Sequence, residues 1–255
     1  MEWEHLDKSY AFLKCTRVKY ANDLIEKGTI MFNCAQNWVD IAKKKGQGQG
    51  DVYEGSFAAC NILDINSMIS FHKQYDDVEF EINDKLIYFR RKSVMYMPAF
   101  CFYTFKSNYF ESRKEESRRT FLANAMGRYF EDFEYGMTSK QIMLLDKKER
   151  PAIVIINDGN KFIKMIKKKL ISMGVQESEI LDQPIEYVDK SVAFCNQLEC
   201  PKELFFKDKS FSHQAEGRII INIKNKSLMD TLVKQPINIG SIKEFSKKID
   251  IYSDY

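Results

Sequence analysis

Proline and glycine are scarce in this chain, 5 and 11 among 255 residues, which excludes a collagen-like or low-complexity protein. Histidine is scarcer. Only His5, His72 and His213 occur, and no serine or cysteine stands in a recognisable nucleophile elbow, so triad-type hydrolase chemistry is not expected. No apolar run is long enough for a signal-peptide core or a membrane helix, and the start Met1-Glu2-Trp3-Glu4-His5 is acidic and polar. A cytoplasmic protein without membrane association is the expectation. Charge of one sign is not in excess either: Lys+Arg 39 against Asp+Glu 36 leaves +3, too little to mark a nucleic-acid binder by net charge. Any basic site must be local.

What is present is apolar and aromatic. With 44% hydrophobic residues, 19 Phe and 13 Tyr, the chain has enough apolar mass for a substantial core and the composition of aromatic-rich sheets. The six cysteines (15, 34, 60, 101, 195, 200) stand mostly in apolar segments, which suits reduced, buried thiols. Cys195 and Cys200 are the only close pair. With no second pair at zinc-ligand spacing, no metal site is expected.

Tyr10 to Cys15 reads as a strand, with Thr16 capping a helix that runs to Lys27 and stops at Gly28. Thr29 to Asn33 reads as a second strand. Lys43 to Gly55 begins with three lysines and holds four glycines, and is expected to be a mobile loop with some capacity for phosphate. Strands are expected at Ser56–Cys60, Ser67–His72, Val78–Ile82, Lys85–Arg90 and Ser93–Phe105, with Pro98 dividing the last and a hairpin turn at Asn83-Asp84. The nearly continuous apolar run Ala99 to Phe105 suits a central strand. Helical spacing of Phe121, Leu122, Ala125, Met126, Tyr129, Phe130 and Phe133 predicts a helical insertion around 107–145. Pro151–Ile156 reads as a buried strand and Lys161–Met173 as an amphipathic helix with Phe162, Ile163, Ile166 and Leu170 inward. Further strands are expected near Ile185–Val188, Leu204–Lys207 and Gly217–Ile223, and the tail from Lys243 is weakly patterned.

The sharpest chemical feature is the run from Lys207 to Asn222, a polar loop entering an isoleucine-rich strand. Strand alternation puts Gln214, Glu216 and Arg218 on one face and Ile219, Ile221 and Ile223 on the other. An amide, a carboxylate and a guanidinium then stand in line. A purely structural Glu216–Arg218 ion pair is one reading of that row.

Gln214-Ala215-Glu216 resembles the Gln-x-Glu signature of ADP-ribosyltransferases, and the run Lys207-x-x-x-Phe211-x-x-Gln214-x-Glu216-x-Arg218 is similar to small bacterial toxin-like members. Tyr10 to Arg17 with its helix and Gly28 to Phe32 resembles the opening of that superfamily. Phe100-Cys-Phe-Tyr-Thr104 stands in chain order where the family has a central strand with a Ser/Thr/Tyr motif, although no Ser-Thr-Ser is present. The resemblance implies a single α+β domain over 1–255, with a split mixed or antiparallel sheet and flanking helices. It also implies NAD as substrate. Glu216 would stabilise the positive charge that develops on the ribose as nicotinamide leaves. Gln214 would orient the nucleophile, Arg17 or Lys14 would meet the pyrophosphate, and Tyr103 or Thr104 would shape the nicotinamide pocket.

The expected function is therefore mono-ADP-ribosylation of a macromolecule by a toxin or anti-phage effector. Nucleic acid is slightly preferred over protein because basic residues cluster at Lys43–Lys45, at Arg113, Lys114, Arg118 and Arg119, and over Lys161–Lys169. A toxin would need an antitoxin or chaperone, which only the resemblance implies. Two other readings stay open: a non-catalytic interaction domain, and a metal-dependent nuclease assembled from carboxylates such as Asp51, Glu54, Asp64 and Glu79.

Overall fold

The computed structural model describes residues 10–45, 50–64, 66, 77–83, 85–106, 139–196 and 199–250. Its strands and helices follow in the order β1 (Tyr10–Arg17), α1 (Val18–Lys27), β2 (Thr29–Ile30), α2 (Ala35–Lys45), β3 (Ser56–Asn61), β4 (Val78–Asn83) and β5 (Leu86–Arg91). Then come α3 (Lys92–Met95), β6 (Ala99–Lys106), α4 (Ser139–Met143), β7 (Pro151–Ile156), α5 (Gly159–Ser172), β8 (Ile180–Pro184), β9 (Glu186–Val188) and β10 (Phe194–Cys195). The chain closes with β11 (Phe206–Asp208), β12 (Glu216–Ile221), α6 (Lys226–Lys234), β13 (Ile237–Asn238) and β14 (Ser246–Asp250). The class is α+β with antiparallel sheets. A six-stranded sheet runs β14-β7-β1-β6-β12-β8 and a four-stranded sheet runs β10-β3-β5-β4, with every neighbouring pair in both antiparallel. A parallel β9–β11 pair and a β2–β13 pair are separate.

Strand alternation sorts the large sheet into two faces. On one, Phe12, Phe100, Phe102, Val154, Ile156, Ile219 and Ile221 pack against Leu24 of α1, Phe162, Ile166 and Leu170 of α5 and Leu232 of α6. Burying each such side chain contributes roughly 1.5–3 kcal/mol, so this face dominates stability. On the other face Ala99 and Ile220 meet Ala35 and Val39 of α2, Val94 and Met95 of α3, and Leu204 and Phe205. Phe57, Val78, Ile87 and Phe89 make a third core on the small sheet.

Several boundaries differ from expectation for local reasons. Thr16 lies inside β1, and α1 starts one residue later, its first amide satisfied by the Arg150 carbonyl at 2.9 Å in place of a side-chain cap. Gly28 does end α1, in the left-handed region at φ 63°, where a Cβ would sit 2.0 Å from the Gly240 carbonyl oxygen. The strand expected from Thr29 is only Thr29–Ile30, with Asn33 making a single bridge to Ala99. The last three residues of α2, 43–45, occupy what reads as the start of a loop, and Ser93–Met95 is helical, so β6 begins after Pro98. Leu204 and Phe205 lie in a 3-10 turn. β8 and β14, polar strands of the large sheet, were not anticipated. The expected strand Ser67–His72 and all but the end of the helical insertion around 107–145, with Arg113, Lys114, Arg118 and Arg119, lie outside the described residues.

Candidate functional site

β12 lies between β6 and β8 and pairs Glu216 with Tyr103, Gly217 with Phe102 and Arg218 with Cys101. The strand begins only at Glu216. Gln214 ends a 3-10 turn (Lys209–Gln214), and Ala215 joins the two at φ 40°, ψ 46°, a left-handed conformation that costs a non-glycine residue roughly 1–2 kcal/mol. Thr104 holds this joint: its amide and its hydroxyl both donate to the Ala215 carbonyl at 2.9 Å. The kink preserves what alternation predicted for the pair, because both side chains reach the same group. Lys207 Nζ donates to Gln214 Oε1 at 2.7 Å and to Glu216 Oε2 at 2.9 Å, and lies 4.7 Å from the centre of the Phe211 ring.

Arg218 completes the row. Its Nε donates to Glu216 Oε1, Nη1 donates to Glu54 Oε1 at 2.5 Å and to the Leu204 carbonyl at 2.6 Å, and Nη2 donates to Glu54 Oε2 at 3.0 Å. The guanidinium lies over the Trp38 ring of α2, 4.7 Å from its centre. The structural ion pair is thus present, and it extends to a carboxylate that the sequence offered only as a nuclease candidate.

Glu54 sits in the turn leading into β3, where Asp51 Oδ1 accepts from the Tyr53 amide at 2.8 Å. Arg90 donates from Nε to the Glu54 carbonyl at 3.0 Å and from Nη2 to the Val52 carbonyl. Lys190 Nζ donates to the carbonyls of Tyr53, at 2.9 Å, and Phe206, at 3.1 Å. Three successive carbonyls are held by buried cations, so the second half of the expected mobile loop is tightly strapped. Residues 46–49 lie outside the described residues.

Asp51, Glu54 and Glu216 are buried together with the cations Arg90, Lys190, Lys207 and Arg218. Burial pushes the Glu216 carboxyl up, but Arg218 and Lys207 together overcome it and hold the group well below the ordinary carboxylate range. Burial also opposes the Lys207 ammonium, yet Glu216 and then Glu54 leave it above the usual lysine value. Burial raises Asp51 more than Lys190 lowers it, and its Oδ2 is buried with no hydrogen-bond partner among the described residues. The Glu216 amide donates to Tyr187 Oη at 2.8 Å, and burial together with Glu216 raises that phenol. Burial raises the Cys101 thiol, and the neighbouring negative charge of Glu216 raises it further.

Lys14 and Arg17 are separated by the strand. The β1–β6 ladder ends at Leu13↔Tyr103, while β1 continues along β7 to Arg17↔Pro151. Just beyond that end, Lys14 Nζ donates to the Cys101 carbonyl at 2.7 Å and lies 4.7 Å from the centre of the Phe100 ring. Burial lowers this ammonium against the pull of Cys101 and Glu216. Arg17 stands four residues beyond the Leu13 level, about 13 Å along an extended strand. Its guanidinium pairs with Glu149. Tyr103 is buried on the Glu216 face and Thr104 is on the other, packed beside Gly217.

Among the described residues no three His, Cys, Asp or Glu side chains group in a way that would hold a metal, and Cys195 and Cys200 are exposed free thiols. Among those residues, too, no helix is long and apolar enough to cross a membrane. Comparison with protein-family models, curated proteins and solved structures finds no match to this chain.

Proposed function

We propose that the protein is a NAD-dependent mono-ADP-ribosyltransferase with an ADP-ribosyltransferase-like core, acting on a macromolecule as a toxin or anti-phage effector. The observation that carries this reading is the convergence of Gln214 and Glu216 on one buried ammonium, beside the point where the β1–β6 ladder opens. In the reaction the bond from ribose C1′ to the nicotinamide nitrogen breaks, and its electron pair leaves with nicotinamide. The acceptor then bonds to C1′ and loses a proton. A carboxylate that stays ionised while buried stabilises the intervening positive charge far more than one in water. Glu216 meets that requirement. Gln214 orients the nucleophile. Arg17 or Lys14 would meet the pyrophosphate, each from a present partner: Arg17 is engaged with Glu149 and Lys14 with the Cys101 carbonyl. Nucleic acid remains the slightly preferred acceptor, although Lys43, Lys161 and Lys167 are paired with Glu81, Glu244 and Asp182.

A second reading, a non-catalytic interaction domain, is favoured by the commitment of Arg218 to both Glu216 and Glu54. Labelled NAD incubated with a cell lysate separates the two. Label is expected in RNA, DNA or protein with the native chain, falling at least about 100-fold in Glu216→Gln. Equal transfer by both, or none from a folded native chain that binds NAD, counts against the transferase reading.

A further inference from the structure

β4 is an outer strand of the small sheet, and β5 is its only strand partner among the described residues. Its register is unbroken from Val78↔Arg91 to Asn83↔Leu86. One step beyond that ladder the Lys92 amide donates to the Asp77 carbonyl at 2.9 Å, so the odd-numbered residues bond to β5 and the main-chain groups of Phe80 and Ile82 point outward. Among the described residues no backbone hydrogen bond reaches them from that side. Open edges are ordinarily blunted by proline, lysine or a bulge. The outer strands of the large sheet comply, β8 ending at Pro184 and β14 carrying Lys247 and Lys248. β4 has none of the three.

Alternation gives this edge two chemically distinct sides. On one, Phe80 and Ile82 are 51% and 54% exposed and continue the apolar row that Val78 begins in the core of the small sheet. On the other stand Glu79 and Glu81. Glu81 is paired with Arg90 at 2.5 Å and with Lys43 at 2.7 Å, whereas Glu79 has no salt bridge among the described residues. In the sequence, positions 76–84 hold five carboxylates and no cation. A second copy of β4 is therefore a poor occupant. Pairing Phe80 with its own equivalent sets Glu79 opposite Glu81, and pairing Phe80 with Ile82 sets Glu81 opposite Glu81. The same carboxylates repel a phosphate backbone.

We propose that the β4 edge is a docking site for an extended segment of a partner protein in which lysine or arginine alternates with aliphatic residues. The segment adds a strand to the small sheet: its main chain bonds to Phe80 and Ile82, its aliphatic side chains lie beside theirs, and its cations meet Glu79. Nothing in this site rests on the ADP-ribosyltransferase reading.

The probe is a fluorescein-labelled peptide of about eight residues alternating lysine with valine, titrated into the full chain and followed by polarisation. Saturable binding is expected, with the amide signals of Phe80 and Ile82 shifting in NMR spectra. It is expected to weaken about tenfold when the backbone nitrogens on the bonding side of the peptide are methylated, and by a similar factor when glutamate replaces lysine. Glu79→Lys is expected to reverse the preference between the lysine and glutamate peptides. The peptide comparisons use the native chain, so they decide the matter even where that variant does not fold. Failure of the lysine peptide to bind overturns the proposal. So does binding that survives N-methylation, or that shifts amides only elsewhere, since either is charge attraction without strand addition. A native chain that dimerises, with the dimer abolished by Phe80→Lys, gives the edge to a second copy and overturns it as well.

Discussion

Gln214 and Glu216 share a single donor, the ammonium of Lys207, at 2.7 and 2.9 Å. A neutral amide and a carboxylate are thereby fixed relative to each other by one side chain from the neighbouring β11. Replacing Lys207 with methionine keeps the apolar stem and removes that charge from Glu216, which is itself buried. Loss of one partner from a buried pair typically costs about 3–5 kcal/mol. Lys207→Met is expected to lose stability in that range, read from the urea midpoint at constant m-value. A loss below 1 kcal/mol would mean that Arg218 alone satisfies Glu216.

Glu216 and Asp51 respond to pH with opposite sign. The folded Glu216 carboxyl is held below its unfolded value near 4.3, so its contribution is present above that pH and is lost as the pH falls through the lower folded value. Asp51 is raised in the fold, so its contribution is greatest below the unfolded value near 3.9 and is lost as pH rises through the higher folded value. Asp51→Asn removes that cost while the side-chain oxygen still accepts from the Tyr53 amide. The variant is expected to gain about 1 kcal/mol at pH 7. The gain should vanish below about pH 4. Chemical denaturation at the two pH values measures it, and an equal gain at both would remove Asp51 ionisation as the cause.

Ala215 is the one described non-glycine residue with positive φ, and it separates the two site residues. Glycine tolerates that backbone, so Ala215→Gly is expected to stabilise the fold by about 0.5–1 kcal/mol despite its larger unfolded entropy. Thermal unfolding gives the sign directly: a lowered midpoint would show that the alanine methyl is worth more than the strain.

Much of the large sheet was readable because its strands announce themselves locally. Pro151–Ile156, Ala99–Lys106 and the Gly28 stop depend on short apolar runs and one left-handed residue. β8 and β14 escaped because Ile180-Leu-Asp-Gln-Pro184 and Ser246-Lys-Lys-Ile-Asp250 are edge strands, where one unpaired side tolerates polar residues. Within the site, Gln214, Glu216 and Arg218 were legible from two-residue spacing. Lys207 stood in the same run without a role. Glu54 and Lys190 carried no local signal, since a carboxylate in a turn and a lone lysine read as solvated until a fold buries them. The only available cue was the Asp51-Val-Tyr-Glu54-Gly55 turn signature, which reads equally well as a surface excursion.

The short β1–β6 ladder has a mechanical meaning. Four residue pairs, Tyr10 to Leu13 against Lys106 to Tyr103, join β14-β7-β1 to β6-β12-β8, whereas β1 is stitched to β7 through six. The large sheet is therefore two three-stranded panels sharing a narrow seam, with Lys14 as a stud at the point where the seam parts. Glu216 and Arg218 belong to one panel, so strain that peels the panels apart leaves the bond between them intact.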